Sequence, residues 1–213
     1  MISEIFPMPY PFQLSATRCD LPPGPFAGYI FDCDGTLVDS MPIHLLAWRA
    51  ALEMNGFVPE DFTLAMHHAY AGMPGVAIVK HLNERFGMAM PPGKVEADKV
   101  AWYLAHHDGM EEIKHVCDFA RAHFGKLPMA VASGSDRELV HQALDGLNLT
   151  RLFQTIITPD LVGPGRGKPA PDMFLLAAER MGVAPEQCLV FEDGHLGMEA
   201  ATAAGMQAVW VPA

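Results

Sequence analysis

Five short runs constrain the fold more than any other feature: Gly28-Tyr29-Ile30-Phe31, Met129-Ala130-Val131-Ala132, Thr155-Ile156-Ile157, Cys188-Leu189-Val190-Phe191 and Ala208-Val209-Trp210-Val211. Each is apolar throughout rather than alternating, and each is bounded by polar residues or by Gly and Pro. A strand that is apolar on both faces must be covered on both faces, which is the situation of a parallel sheet clad by helices. Helical patterns lie between the runs. Asp136 to Leu144 carries Leu139, Val140, Ala143 and Leu144, Pro171 to Met181 opens on proline, and Leu196 to Ala204 stops at Gly205. Strands alternating with helices predict an α/β, doubly wound, Rossmann-like parallel sheet.

The stretch between the first two runs differs. Ile43 to Met54, Pro59 to His67, Gly75 to Phe86 and Gly93 to His107 read as helices, with no strand-like run among them. This predicts a helical cap domain, residues 41–107, inserted into a core made of residues 26–40 and 108–213. Its hinges fall near Ser40 and Asp108. Residues 1–25 contain Pro7, Pro9, Pro11, Pro22, Pro23 and Pro25, so an irregular extension is expected.

Composition narrows the classes of partner. Half of the 213 residues are hydrophobic, enough for a substantial core, and the formal net charge is -11. Such acidity argues against nucleic acid or an anionic membrane as partner. Cys19, Cys33, Cys117 and Cys188 are scattered without metal-like spacing, as in a reducing compartment. No apolar stretch reaches the roughly 18 residues of a membrane span. The start of the chain lacks a basic region followed by an apolar run. A cytoplasmic monomer or weak homodimer is the expectation.

Four polar clusters follow strand-like runs or return to a helix start: Asp32/Asp34, Ser133-Gly134-Ser135, Lys168 and Glu192-Asp193. In an open parallel sheet these positions converge at the carboxyl edge, where ligands bind. Four carboxylates there repel one another unless a hard divalent cation intervenes, and Mg2+ takes such oxygens. Lys168, the Ser133 hydroxyl and backbone N–H groups around Gly35 suit phosphate oxygens. An aspartate beside metal and lysine can attack phosphorus, and a second carboxyl two residues on can serve as acid and base. Taken singly, the aspartates read as a turn, Ser133 as a helix cap, Lys168 as a solvated lysine and Glu192-Asp193 as a cap. His67-His68 and His106-His107 read as surface residues, because adjacent positions on a helix point apart. Met88-Ala89-Met90 and Trp102-Tyr103 read as packing.

The segment Phe31-Asp32-Cys33-Asp34-Gly35-Thr36-Leu37-Val38-Asp39-Ser40 resembles the DxDGTLxDS signature of the haloacid dehalogenase superfamily. Ser133-Gly134-Ser135, Gly167-Lys168-Pro169-Ala170-Pro171-Asp172 and Val190-Phe191-Glu192-Asp193 resemble its later motifs, in order. His44, Ala47 and Trp48 are similar to the β-phosphoglucomutase-like branch with a helical cap, which includes fructose-1-phosphatase-like sugar phosphatases. The resemblance implies Mg2+-dependent hydrolysis of a small phosphorylated metabolite, such as a sugar phosphate, through an aspartyl-phosphate. Asp32 would be nucleophile and metal ligand. Asp34 would be general acid/base and lend the metal its backbone carbonyl. Asp193, supported by Glu192, would complete the metal site, and Ser133, Gly134, Gly35 and Lys168 would hold phosphate. His44 is read either as an inward-facing helix residue or as a group beside the chemistry, and Arg137 as a group that reaches substrate. Tyr70-Ala71-Gly72-Met73-Pro74-Gly75 lacks the arginine with which mutases of this branch grip a second phosphate, and Gly194 stands where the family has serine. A phosphohexomutase and a non-catalytic binding module are the alternatives.

Overall fold

The computed structural model describes residues 12–15, 19, 21–106 and 109–212. Five parallel strands form one sheet in the order β3-β2-β1-β4-β5, with β1 Gly28–Phe31, β2 Met129–Ala132, β3 Thr155–Ile157, β4 Cys188–Glu192 and β5 Gln207–Trp210. Register pairs Ile30 with Ala130 on one side and with Val190 on the other. The chain winds outward from β1 through β2 to β3, then crosses back to β4 on the other side of β1. The carboxyl ends of β1, β2 and β4 therefore flank the point where the winding reverses, the usual place for a crevice.

The unbroken apolar runs have the cause expected of them. Tyr29, Phe31, Val131, Leu189 and Phe191 point to one face and pack on Val116, Cys117, Ala120, Val140 and Leu144. Ile30, Ala130, Ala132 and Val190 point to the other and pack on Met173, Phe174, Ala177, Ala178, Ala200 and Ala201. Phe31 and Phe191 stack at 4.6 Å across adjacent strands.

Between β1 and β2 lie α1 (Met41–Met54), α2 (Leu64–Ala69), α3 (Gly75–Phe86), α4 (Pro92–His106) and α5 (Lys114–His123). The first four share an apolar cluster of their own, with Trp48, Leu52, Phe62, Met66, Val79, Leu82 and Val95. A smaller cluster of Ala47, Tyr103 and Leu139 ties α1 and α4 to α6 (Arg137–Gly146). After β3 come α7 (Pro159–Val162) and α8 (Asp172–Met181), and α9 (His195–Ala203) joins β4 to β5.

Three local expectations change. The helix expected over Pro59 to His67 divides into a 3-10 turn, Pro59–Asp61, and α2, which starts where the Thr63 hydroxyl accepts from the Met66 amide at 3.2 Å. Helix α5 was not anticipated, because its buried set is only Val116, Cys117 and Ala120 among charged residues. The proline-rich extension is not irregular throughout. Leu14 is buried, its amide donates to the Trp210 carbonyl at 2.9 Å, and the Trp210 amide donates to the Phe12 carbonyl at 2.9 Å. The described stretch from Phe12 to Ser15 contains no proline, so its amides can pair with the free side of β5. The rest of the expected extension up to Asp20, apart from Cys19, and the expected hinge at Asp108 lie outside the described residues. Among the described residues no helix is long and apolar enough to cross a membrane.

Ile30 is wholly buried at the centre of the sheet. Ile30→Ala should lower the unfolding free energy by about 2–5 kcal/mol, measured by urea titration.

Candidate active site

Asp32 stands immediately past β1, its amide donating to the Phe191 carbonyl at 2.9 Å. The chain then turns tightly: the Leu37 and Val38 amides both donate to the Cys33 carbonyl, at 2.9 and 3.0 Å. Gly35 sits in the turn at φ +81°, where a side chain would be strained. A Cβ there would lie 2.1 Å from an Asp193 carboxylate oxygen. The Gly35 amide donates to the Val38 carbonyl at 2.8 Å, so this residue serves the site by the room it leaves rather than by its own N–H.

One buried ammonium joins two strands. Lys168 Nζ donates to Asp32 Oδ1 at 2.5 Å and to Glu192 Oε1 at 2.6 Å. The other Glu192 oxygen accepts from the Gly194 amide at 2.7 Å. Burial works against the charged lysine, yet Asp32 and Glu192 hold its pKa above the ordinary lysine value. Burial also pushes Asp32 up to about 8, opposed by Lys168 and reinforced by Glu192 and Asp34. Asp193, which accepts from the Thr36 hydroxyl at 3.2 Å, is raised by burial and by the charges of Glu192 and Asp32.

Asp34 has the opposite environment. Its Oδ1 accepts from Ser40 Oγ at 2.5 Å and pairs with His44 Nε2 at 2.9 Å. Its Oδ2 accepts from Ser135 Oγ at 2.6 Å and from Ser133 Oγ at 3.4 Å. Burial would raise this carboxyl, but His44 and the hydroxyl donors outweigh burial and hold it well below the usual carboxylate range. Burial and the Lys99 charge lower the His44 pKa, opposed by the Asp34 charge and the hydrogen bond to it.

The sheet edge and the helical insertion enclose one cavity. Asp32, Asp34, Ser133, Gly134, Glu192 and Asp193 line its floor, and His44, His67, Gly72 and Lys99 belong to its helical side. The two sides meet closely at Gly134, where a Cβ would lie 2.8 Å from the Gly72 carbonyl oxygen. His44 therefore joins the site. Arg137 does not: its side chain is 61% exposed and lies 3.8 Å from Asp160. It begins α6 on the outer side, three residues past the glycine that faces the cavity. His67, expected at the surface, is buried, whereas His68 is exposed.

Lys99 was missed. It is 6% exposed, and on α4 it falls between Val95 and Tyr103 at intervals of four, so a lysine inside an apolar stripe was the signal. Its Nζ lies 5.8 and 5.5 Å from the centres of the Trp48 and Tyr103 rings. Ser40 and Ser135, which hold Asp34, lay within the motifs read from the sequence but were given no role there, since that role depends on the turn geometry.

Asp32, Glu192 and Asp193 each present a carboxylate oxygen within 4.8 Å of the others. Hard oxygen donors crowded together, two of them with pKa values raised by burial and then by one another's charge, fit a divalent cation. Both Glu192 oxygens are engaged by Lys168 and Gly194, which suits it to a supporting place behind Asp32 and Asp193.

The family model of haloacid dehalogenase-like hydrolases matches residues 26–205. The chain belongs to that family and is an enzyme of the phosphoric monoester hydrolase kind. It is 38% identical over 185 residues to the fructose-1-phosphate phosphatase YqaB of Escherichia coli K12, covering 86% of this chain and 95% of that protein. It is 31% identical to hexitol phosphatase A of the same organism, over 87% of this chain and 83% of the relative. A crystal structure of a hydrolase from Pseudomonas syringae superposes with a TM-score of 0.77 at 26% identity, over 86% of this chain and 84% of that one.

Two outcomes follow from this geometry. The Asp32 carboxyl, raised from 3.8 to about 8, contributes stability that is full below its unfolded value and is lost as pH rises through about 8. In EDTA, Tm should therefore fall as pH rises from about 4 to about 8, and added Mg2+ should raise Tm more at the higher pH, by calorimetry. Gly197 lies so close to Glu192 that a Cβ would sit 1.6 Å from Oε1. Because Glu192 is clamped at both oxygens, Gly197→Ala should destabilise the fold by about 1–3 kcal/mol and depress phosphate release together.

Proposed function

We propose that this chain is a Mg2+-dependent phosphatase that hydrolyses a small phosphorylated metabolite, of the sugar- or hexitol-phosphate class, through an aspartyl-phosphate. The observation that carries this reading is the convergence at the carboxyl edge of the sheet of two carboxyls two residues apart: Asp32 against Lys168, and Asp34 among hydroxyls and His44. By themselves their surroundings raise Asp32 and hold Asp34 low, so a divalent cation on Asp32 would be what restores its ionised, nucleophilic form. The names of the relatives in Escherichia coli support the substrate class.

Asp32 attacks phosphorus, forming an Asp–O–P bond as the bond from phosphorus to the leaving oxygen breaks. Asp34 gives that oxygen a proton. A phosphate dianion bound beside Asp34 raises its carboxyl, which readies it as the acid. Asp34 then takes a proton from water, which attacks phosphorus, frees inorganic phosphate and restores Asp32. Ser133 and Lys168 hold the transferring group, and His44 and Ser40 keep Asp34 aimed. Bound Mg2+, held by Asp32, Asp193 and the Asp34 backbone carbonyl with Glu192 behind them, supplies positive charge against the phosphoryl oxygens. Residues 41–107 act as the cap over residues 26–40 and 108–213 and exclude bulk water during attack. The Tyr70 to Gly75 loop brings no cation for a second phosphate, which favours hydrolysis over a mutase reaction.

Asp32→Asn should reduce Mg2+-dependent phosphate release to background across a panel of sugar and hexitol phosphates while Tm is kept or raised. Release at the wild-type rate would remove Asp32 from its role.

A further inference from the structure

His67 is an anomaly in the cap. It is 5% exposed, yet its Nδ1 is enclosed and has no hydrogen-bond partner among the described residues. A ring with only a packing role would be better replaced by an apolar side chain, because an imidazole nitrogen sealed from water without a partner disfavours the fold. The ring is also one wall of the cavity above Asp32, beside His44 and Lys99. Its position is fixed. The Thr63 hydroxyl caps the start of α2, and the edge-to-face contact with Phe62, at 6.1 Å between centres, holds one side of the ring.

The chemistry of the ring follows from its surroundings. Burial, with the charges of His44, His68 and Lys99, lowers the pKa to about 3, so the ring is neutral at working pH. A neutral ring carries one proton. An orphaned buried N–H is less tolerated than an orphaned acceptor, so the proton belongs on Nε2 and Nδ1 is left as a bare acceptor. A neutral N–H is a poor partner for a phosphate dianion, for which Lys168 is already in place, and a good one for a hydroxyl oxygen. Nδ1 is sealed, but Nε2 is not among the enclosed unpartnered atoms, so Nε2 is the nitrogen that a ligand in the cavity can reach.

We propose that His67 reads a hydroxyl of the leaving group, its Nε2–H donating into the cavity from the cap side. The inference rests on the reading of the chain as a sugar- or hexitol-phosphate phosphatase and deepens it by naming a specificity-determining residue. It does not involve the nucleophile, the acid or the metal carboxylates.

The test compares wild type, His67→Leu and His67→Gln on a hexitol 6-phosphate, on its monodeoxy analogues and on p-nitrophenyl phosphate, whose leaving group has no sugar hydroxyl. His67→Leu should lower kcat/KM for the hexitol phosphate about tenfold, the effect of one neutral hydrogen bond, and leave p-nitrophenyl phosphate within about twofold. His67→Gln, which keeps a donor, should recover part of the loss. One deoxy position should penalise the wild type and add no further penalty in His67→Leu. Equal losses on both substrates, or a deoxy series whose penalties are unchanged in the variant, would overturn the role of His67. Should His67→Leu fail to fold, the His67→Gln deoxy series decides by the same criterion. A wild type that cleaves p-nitrophenyl phosphate but no sugar or hexitol phosphate would instead overturn the substrate class, and the assignment of His67 with it.

Discussion

The Lys168 ammonium, held between Asp32 and Glu192, is the interaction on which the site depends. Four carboxylates crowd the end of β1 and β4, and three of them draw together within 4.8 Å. Buried charges at such distances are strongly unfavourable without compensation. Lys168 supplies one positive charge and does so as a fixed strut, because its stem is buried against Phe174 with Nζ 5.1 Å from the ring centre. One charge cannot balance four. Burial, and after it the neighbouring carboxylates, raise Asp32 and Asp193.

The contrast in surroundings between Asp32 and Asp34 is a product of the turn that separates them. Two residues carry the chain from the end of β1 to a position where Ser40, His44 and Ser135 converge on the second carboxylate. Ser40 leads into α1 and Ser135 follows β2, so the environment of one side chain is assembled from three parts of the chain. Chemically identical groups thereby sit at opposite ends of the acidity range.

The strands were legible because burial on both faces leaves an unmistakable apolar run, and the sheet found every one of them within a residue or so. The residues at their carboxyl ends were legible for the same reason: their position follows from the winding of the sheet. Helix α5 was hidden by its charge, since a short buried stripe of Val116, Cys117 and Ala120 makes little pattern. Lys99 and His67 were hidden by a different cause. Whether a polar residue on a short helix faces solvent or a cavity depends on how the helices pack, and in α2 the adjacent His67 and His68 take opposite fates. Arg137 misled because nearness in sequence to Gly134 does not survive the turn into α6.

The meeting of Gly72 and Gly134 is a contact of backbone with the place where a side chain would be. Helical insertion and sheet edge thus meet at this point through two glycines, with the Lys168 and Leu196 side chains close to Gly72. Residues that look into the cavity from the cap, such as His67 and Lys99, stand apart from that seam. Enclosure and recognition are therefore physically separable in this architecture. Side chains on the helical side of the cavity can change without adding bulk at the two glycines where the insertion and the sheet edge meet.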